Sequence, residues 1–269
     1  MNTRASGRHE PEDHALRLAV LIDADNAQAS VIEGLLAEIA TFGEATVKRI
    51  YGDFTSPASS QWKKVLNRYA IKPVQQFAYT TGKNATDSTM IIDAMDLLYT
   101  RRFDGFCLVS SDSDFTGLAL RIREEGLTVL GFGEKKTPDA FRNACHKFVF
   151  TELLRSLPEK DRSAASAPAP KASEVSRAEA PAAEPAPEPP DEIPAEQFLR
   201  ALDQASDDEG WAHLSAFGNY LTKLQPDFDP RLYGFKKLSE LVRARRDIFE
   251  VEDRAPAGAQ GKALYVRRR

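Results

Sequence analysis

The sequence predicts an α/β protein: a parallel sheet with helices on both faces, followed by a disordered linker and a small α+β module. Three observations carry this. Leu18 to Ile22 and Phe106 to Val109 are apolar without alternation, a pattern that suits strands covered on both faces. Strand-like and helix-like periodicities alternate from residue 16 to residue 145, the order of a β-α series. Residues 158 to 193 then break every pattern, with 8 Pro and 10 Ala among 36 residues. Such a segment buries too little surface to offset its ordering entropy.

The elements follow in order. The run Arg17 to Asn26 (RLAVLIDADN) is a strand that ends in Asp23, Asp25 and Asn26. Val31, Leu35, Leu36 and Ile39 then have helical spacing, with Ser30 as N-cap and Gly43 as stop. Ala45 to Tyr51 is a strand, Trp62, Val65, Leu66 and Tyr69 mark a helix, and Lys72 to Tyr79 is a third strand. A polar loop carrying Lys83 leads to a helix from about Asp87 to Arg101. Strand Phe106 to Val109, helix Phe115 to Glu125, strand Leu127 to Phe132 and helix Pro138 to Cys145 complete the series. Beyond the linker, helices around Phe198–Leu202, Leu214–Leu224 and Tyr233–Val242 precede two alternating strands, Ile248 to Val251 and Ala263 to Val266. Three short helices and a hairpin describe a winged helix. The divisions expected are a disordered 1–15, an α/β domain 16–157, the linker 158–193 and the winged helix 194–269.

Composition narrows the classes of function. The 42% hydrophobic content supports a real core, and the formal charge of -4 excludes a wholly basic nucleic-acid binder. Charge is uneven, however: 19 cationic against 20 anionic residues in 1–157, but 11 against 5 from Arg231 onward. Cys107 and Cys145 read as reduced core residues of a cytoplasmic protein. Residues 1–15 lack the apolar stretch of a signal peptide, and no apolar run is long enough to cross a membrane.

Chemistry is expected at the carboxyl ends of the strands, where open α/β sheets bind ligands. Asp23 lies at one such end, and Ser110-Ser111-Asp112-Ser113-Asp114-Phe115 follows another. Asp87 precedes Ile91, Ala94 and Leu98 by 4, 7 and 11 residues, so it shares the helix stripe that faces the sheet. Asp93 and Asp96 share a different face with Thr89 and Thr100 and read as solvated. Carboxylates that converge at one edge repel one another, and a hard divalent cation removes that cost. Oxygen ligands without His or Cys select Mg2+ or Mn2+, which activate water and neutralise a phosphodiester. Asn26 is a candidate to orient a ligand water, Ser110 and Ser111 to hold Asp112, and Lys83 to touch a substrate phosphate.

The ordered motifs LIDADN, GKNATD with MIIDAMDLL, SSDSDF, GLALRIREEG and TVLGFG resemble the NYN domain, the LabA-like branch of the PIN-like ribonucleases. The resemblance covers about residues 15–155. It implies a PIN-like Rossmannoid sheet and metal-dependent endoribonuclease activity, with Asp23, Asp87, Asp112 and Asp114 at the acidic, metal-holding positions and Asn26 as companion amide. Ser111 stands where the family usually carries Gly. Residues 194–269 resemble an OST-HTH, or LOTUS, domain, which implies a winged helix that binds RNA or a helicase partner. Around its third helix, Lys236, Lys237, Arg243, Arg245 and Arg246 form a basic cluster suited to phosphates, with Arg267 to Arg269 at the wing's end.

Three readings of function compete. One is a Mg2+- or Mn2+-dependent ribonuclease with a tethered RNA-binding module. A second is a non-catalytic RNA-binding adaptor, or a DNA-binding regulator that uses the winged helix. The third is a haloacid-dehalogenase-type phosphatase, because Asp23-Ala24-Asp25 imitates its D-x-D, with Asp23 as nucleophile and Asp25 as acid.

Overall fold

The computed structural model describes residues 15–55, 60–77, 85–155, 195–254 and 263–269. These form two compact units, Met1–Leu154 and Arg155–Arg269. Lys83 and the segment read as a linker lie outside the described residues.

The first unit has strands β1 (Leu16–Asp23), β2 (Gly43–Gly52), β3 (Lys72–Gln75), β4 (Gly105–Val109), β5 (Thr128–Gly133) and β6 (Lys147–Phe150). Its helices are α1 (Ile32–Ile39), α2 (Ser60–Tyr69), α3 (Ala85–Tyr99), α4 (Thr116–Glu124) and α5 (Asp139–Ala144). All the strand pairings are parallel, in the order β3-β2-β1-β4-β5-β6. β1 and β4 are therefore the central pair, buried over nearly their whole length, as their unbroken apolar runs require. Leu18, Val20 and Ile22 pack with Ile32 and Leu35 of α1 and Trp62 of α2. The alternate residues Ala19 and Leu21 are equally buried on the opposite face, where α3 lies against β1 and β2.

Several elements depart from the sequence reading. Ser30 is exposed and caps nothing: it sits inside a 3-10 turn, Ala29–Val31, and Val31 is the residue that precedes α1. β3 stops at Gln75, short of Tyr79. α3 stops at Tyr99, because Arg101 turns into the left-handed region at φ 53°. The edge strand β6 directly follows the α5 turn, and its four residues fall below any reliable periodicity.

The second unit contains α6 (Ala195–Ala205), β7 (Trp211–His213), α7 (Leu214–Leu224), a 3-10 turn Pro230–Tyr233, α8 (Leu238–Ala244), β8 (Phe249–Arg254) and β9 (Ala263–Arg268). The strands pair antiparallel in the order β7-β9-β8. Phe198, Phe217, Leu221, Leu241, Phe249 and Val266 fill one core, so the expected three helices and hairpin are present, with β7 added at the sheet's edge. Among the described residues no helix is long and apolar enough to cross a membrane. Cys107 and Cys145 are buried and free.

Candidate metal centre

The chain leaves β1 toward β2 and β3 on one side, and returns through α3 to β4, from which β5 and β6 extend on the other. The gap between the carboxyl ends of β1 and β4 is thus the topological switch point, where doubly wound sheets open a crevice. Both acidic motifs end there.

Asp23 closes β1 with no exposed surface. Its Oδ1 accepts the Asp25 backbone N–H at 3.0 Å, and its Oδ2 accepts from Asn26 Nδ2 at 2.7 Å and Ser110 Oγ at 2.8 Å. Burial holds the Asp23 carboxyl above the usual carboxylate range, and these hydrogen bonds pull the other way. The Asn26 amide is therefore committed to Asp23. Ser110 does not hold the Asp112 carboxylate: its hydroxyl donates to Asp23 and accepts the Asp112 backbone N–H at 3.1 Å, which stitches the two strand ends together. Ser111 does not hold it either, since its Oγ accepts the Glu134 N–H at 2.9 Å. The serine at the family's glycine position needs no positive φ and ties the acidic turn to the loop after β5. Gly133 lets that loop come so close: a Cβ there would lie 2.5 Å from the Ser110 carbonyl oxygen.

Asp112 caps a 3-10 turn, Ser113–Phe115, by accepting the Asp114 N–H on Oδ1 at 3.0 Å. Phe115 is fully buried, 6.5 Å from the Phe141 ring, and anchors the turn from below. Asp87 lies on the first turn of α3, on the stripe whose members Ala94 and Leu98 are buried. These elements bring Asp87, Asp112 and Asp114 together, each with a ligand oxygen within 4.8 Å of the others. The Asp87 carboxyl is pushed up to about 6, first by burial and then by the charges of Asp23, Asp112, Asp114 and Asp25. Asp23 is not one of this trio: it is buried, with both oxygens engaged, and Asp25 is exposed. A set of carboxylate oxygens without His or Cys fits a hard divalent cation.

Asp93 corrects the sequence reading. It is not solvated: its carboxylate accepts from Arg49 Nη1 and Tyr51 Oη of β2, and its side chain is 22% exposed. Arg49 and Tyr51 alternate on β2 and so face one helix, the signal that could have found it.

In the second unit the basic cluster divides. Arg243 on α8 pairs with Asp253 at 2.9 Å, and Arg245 pairs with Asp247 at 2.7 Å. Arg267 pairs with Glu250 at 2.6 Å and Arg254 with Glu252 at 3.0 Å. Lys236 and Lys237 precede α8, Arg246 follows it, and among the described residues these three form no ion pair.

A solution NMR structure of a protein from Nitrosomonas europaea is 54% identical, covering 36% of this chain and 92% of that chain, with a TM-score of 0.30. A crystal structure of a protein of unknown function from Vibrio parahaemolyticus is 21% identical, covering 52% and 96%, with a TM-score of 0.44. A solution NMR structure from Chromobacterium violaceum is 32% identical, covering 31% and 88%, with a TM-score of 0.24. No curated protein matches the chain. The profile of the NYN domain matches residues 17–155, and that of the OST-HTH/LOTUS domain matches residues 192–258. The chain therefore belongs to the NYN family, with an OST-HTH/LOTUS domain after its NYN domain.

Proposed function

We propose that this protein is a Mg2+- or Mn2+-dependent endoribonuclease that hydrolyses RNA phosphodiesters, with a C-terminal winged helix that binds the RNA. The observation that carries the reading is the convergence of Asp87, Asp112 and Asp114 at the switch point of a PIN-like sheet. These three carboxylates hold the ion. When bound, the ion neutralises charge on the phosphodiester and activates water as nucleophile. Asp23 adds its charge to the site, and Asn26, Ser110 and the Asp25 amide fix it in place. Asp87, held above the usual carboxylate range by burial and by its acidic neighbours, would hold the ion in its deprotonated form.

The buried Asp23 argues against the phosphatase reading, in which that carboxylate must reach a substrate phosphorus. The OST-HTH/LOTUS domain argues for RNA as the polymer. Lys236, Lys237 and Arg246 are the cations to contact phosphates.

The test is incubation of the full chain with end-blocked single-stranded RNA, with Mg2+, with Mn2+ and with chelator alone. Internal cleavage that requires either ion and disappears in Asp112→Asn is the expected result. RNA left whole with both ions, or phosphate released from small monoesters instead, would overturn the proposal.

A further inference from the structure

Asp87 rides on the first turn of α3 among the like charges of Asp23, Asp112, Asp114 and Asp25. Their repulsion pushes that end of the helix away from the sheet. Six residues on, Asp93 accepts from both Arg49 and Tyr51, alternate residues of β2. Tyr51 is fully buried and is the register partner of Asp23, and its carbonyl accepts the Ala24 N–H at 2.9 Å. One residue thus touches the strand end that carries Asp23 and the helix that carries Asp87. Burial and the Asp93 carboxylate both raise the Tyr51 phenol, so it remains a neutral donor. A second tether reaches the same helix one turn closer to Asp87, where Thr89 Oγ1 donates to Gln76 Oε1 at 2.8 Å.

We propose that Tyr51, Arg49 and Asp93 form a strut that holds α3 against the mutual repulsion of the site acids and thereby sets the spacing of Asp87 from Asp112 and Asp114. The three are positioning residues, and the inference rests on the acidic site being the one that holds the ion. The contrary view is that Met90, Ala94, Leu97 and Leu98, all buried, anchor α3 by themselves, and that the strut merely satisfies Asp93.

A double-mutant cycle in metal-free protein separates these. Tyr51→Phe removes a donor and no charge, so it cannot alter Asp87 by direct Coulomb interaction. It is expected to lower the melting temperature of the wild-type chain by about 3 °C, the effect of one buried hydrogen bond in a domain of this size. In the Asp87→Asn background, where loss of the strut relieves no repulsion to offset the lost hydrogen bond, the fall should be larger, roughly twice that of the wild type. Mn2+ affinity, read from the electron paramagnetic resonance signal of free Mn2+, should weaken about threefold in Tyr51→Phe, below the ~10-fold to ~100-fold seen when a direct partner of a metal ligand is lost. Equal falls in both backgrounds, the additive result, would overturn the strut. So would an unchanged Mn2+ affinity. A wild-type chain that binds no Mn2+ would instead overturn the metal reading of the site, and the metal-free cycle would still decide the strut.

Discussion

The two domains treat their charges in opposite ways. In the NYN domain, Asp87, Asp112 and Asp114 crowd within 4.8 Å, and among the described residues no cation pairs with Asp87 or Asp112. In the OST-HTH/LOTUS domain, Arg243, Arg245, Arg254 and Arg267 have each found a carboxylate. Paired surface charges contribute little to stability, about 0–1 kcal/mol each, and have little attraction left for a ligand. Like charges held together cost stability, and folds keep such violations where function needs them. Charge count alone is thus a poor guide: residues 231–269, with 11 cations against 5 acids, have spent much of that excess on internal pairs, whereas residues 1–157, with 19 against 20, concentrate acids at one point.

The sharpest way to break this comparison is to remove one acid. Asp112→Asn should lower metal-dependent RNA cleavage by more than ~100-fold, the upper cost of losing an outer partner of a metal ligand. The same variant should melt at the same or a higher temperature than wild type without metal, because it relieves repulsion. Single-turnover cleavage and calorimetry on the same preparation check both. Full activity in the purified variant would show that the crowding is structural.

A second effect concerns pH. Asp87 titrates near 6 in the folded chain against an ordinary 3.8, so between those values the folded state binds more protons than the unfolded one. Its contribution therefore makes the metal-free protein less stable as pH rises from about 4 to about 6, after which the loss is complete. Asp23, also raised, acts with the same sign. Melting of the chelated chain across this window should show the decline, and Asp87→Asn should flatten it. A wild-type profile that matches the variant's would refute the crowding of Asp87.

The comparison also explains what was legible in the sequence. β1 and β4 could be read from composition because central parallel strands are apolar throughout, and the acids beside them mark a strand end. Asp87 could be read because its helix stripe is continuous with Ala94 and Leu98. What stayed hidden depends on long-range partners. Ser110 bridges two strand ends 87 residues apart, and Asp93 meets Arg49 across 44 residues, so neither follows from local spacing. Arg243 reaches Asp253 only because the wing hairpin folds back beside α8. β6 and β7, of four and three residues, are too short to show a period.

The smallest effects test the cationic half of the comparison. Lys236, Lys237 and Arg246 should carry the phosphate contacts, so replacing any one with Gln should weaken RNA binding and reduce the salt slope of log K by about 1. Arg243→Gln and Arg245→Gln remove the same formal charge. Yet each of these arginines is bound to an aspartate, by two contacts from Arg243 and by three from Arg245. To meet a phosphate either must first leave that carboxylate, so its loss should leave the salt slope nearly unchanged. Net charge predicts five equal variants, and pairing predicts three against two. Binding isotherms at four salt concentrations for the five variants decide between them. Equal slopes throughout would mean that RNA feels only the summed field of the domain, and that the pairs exchange partners freely.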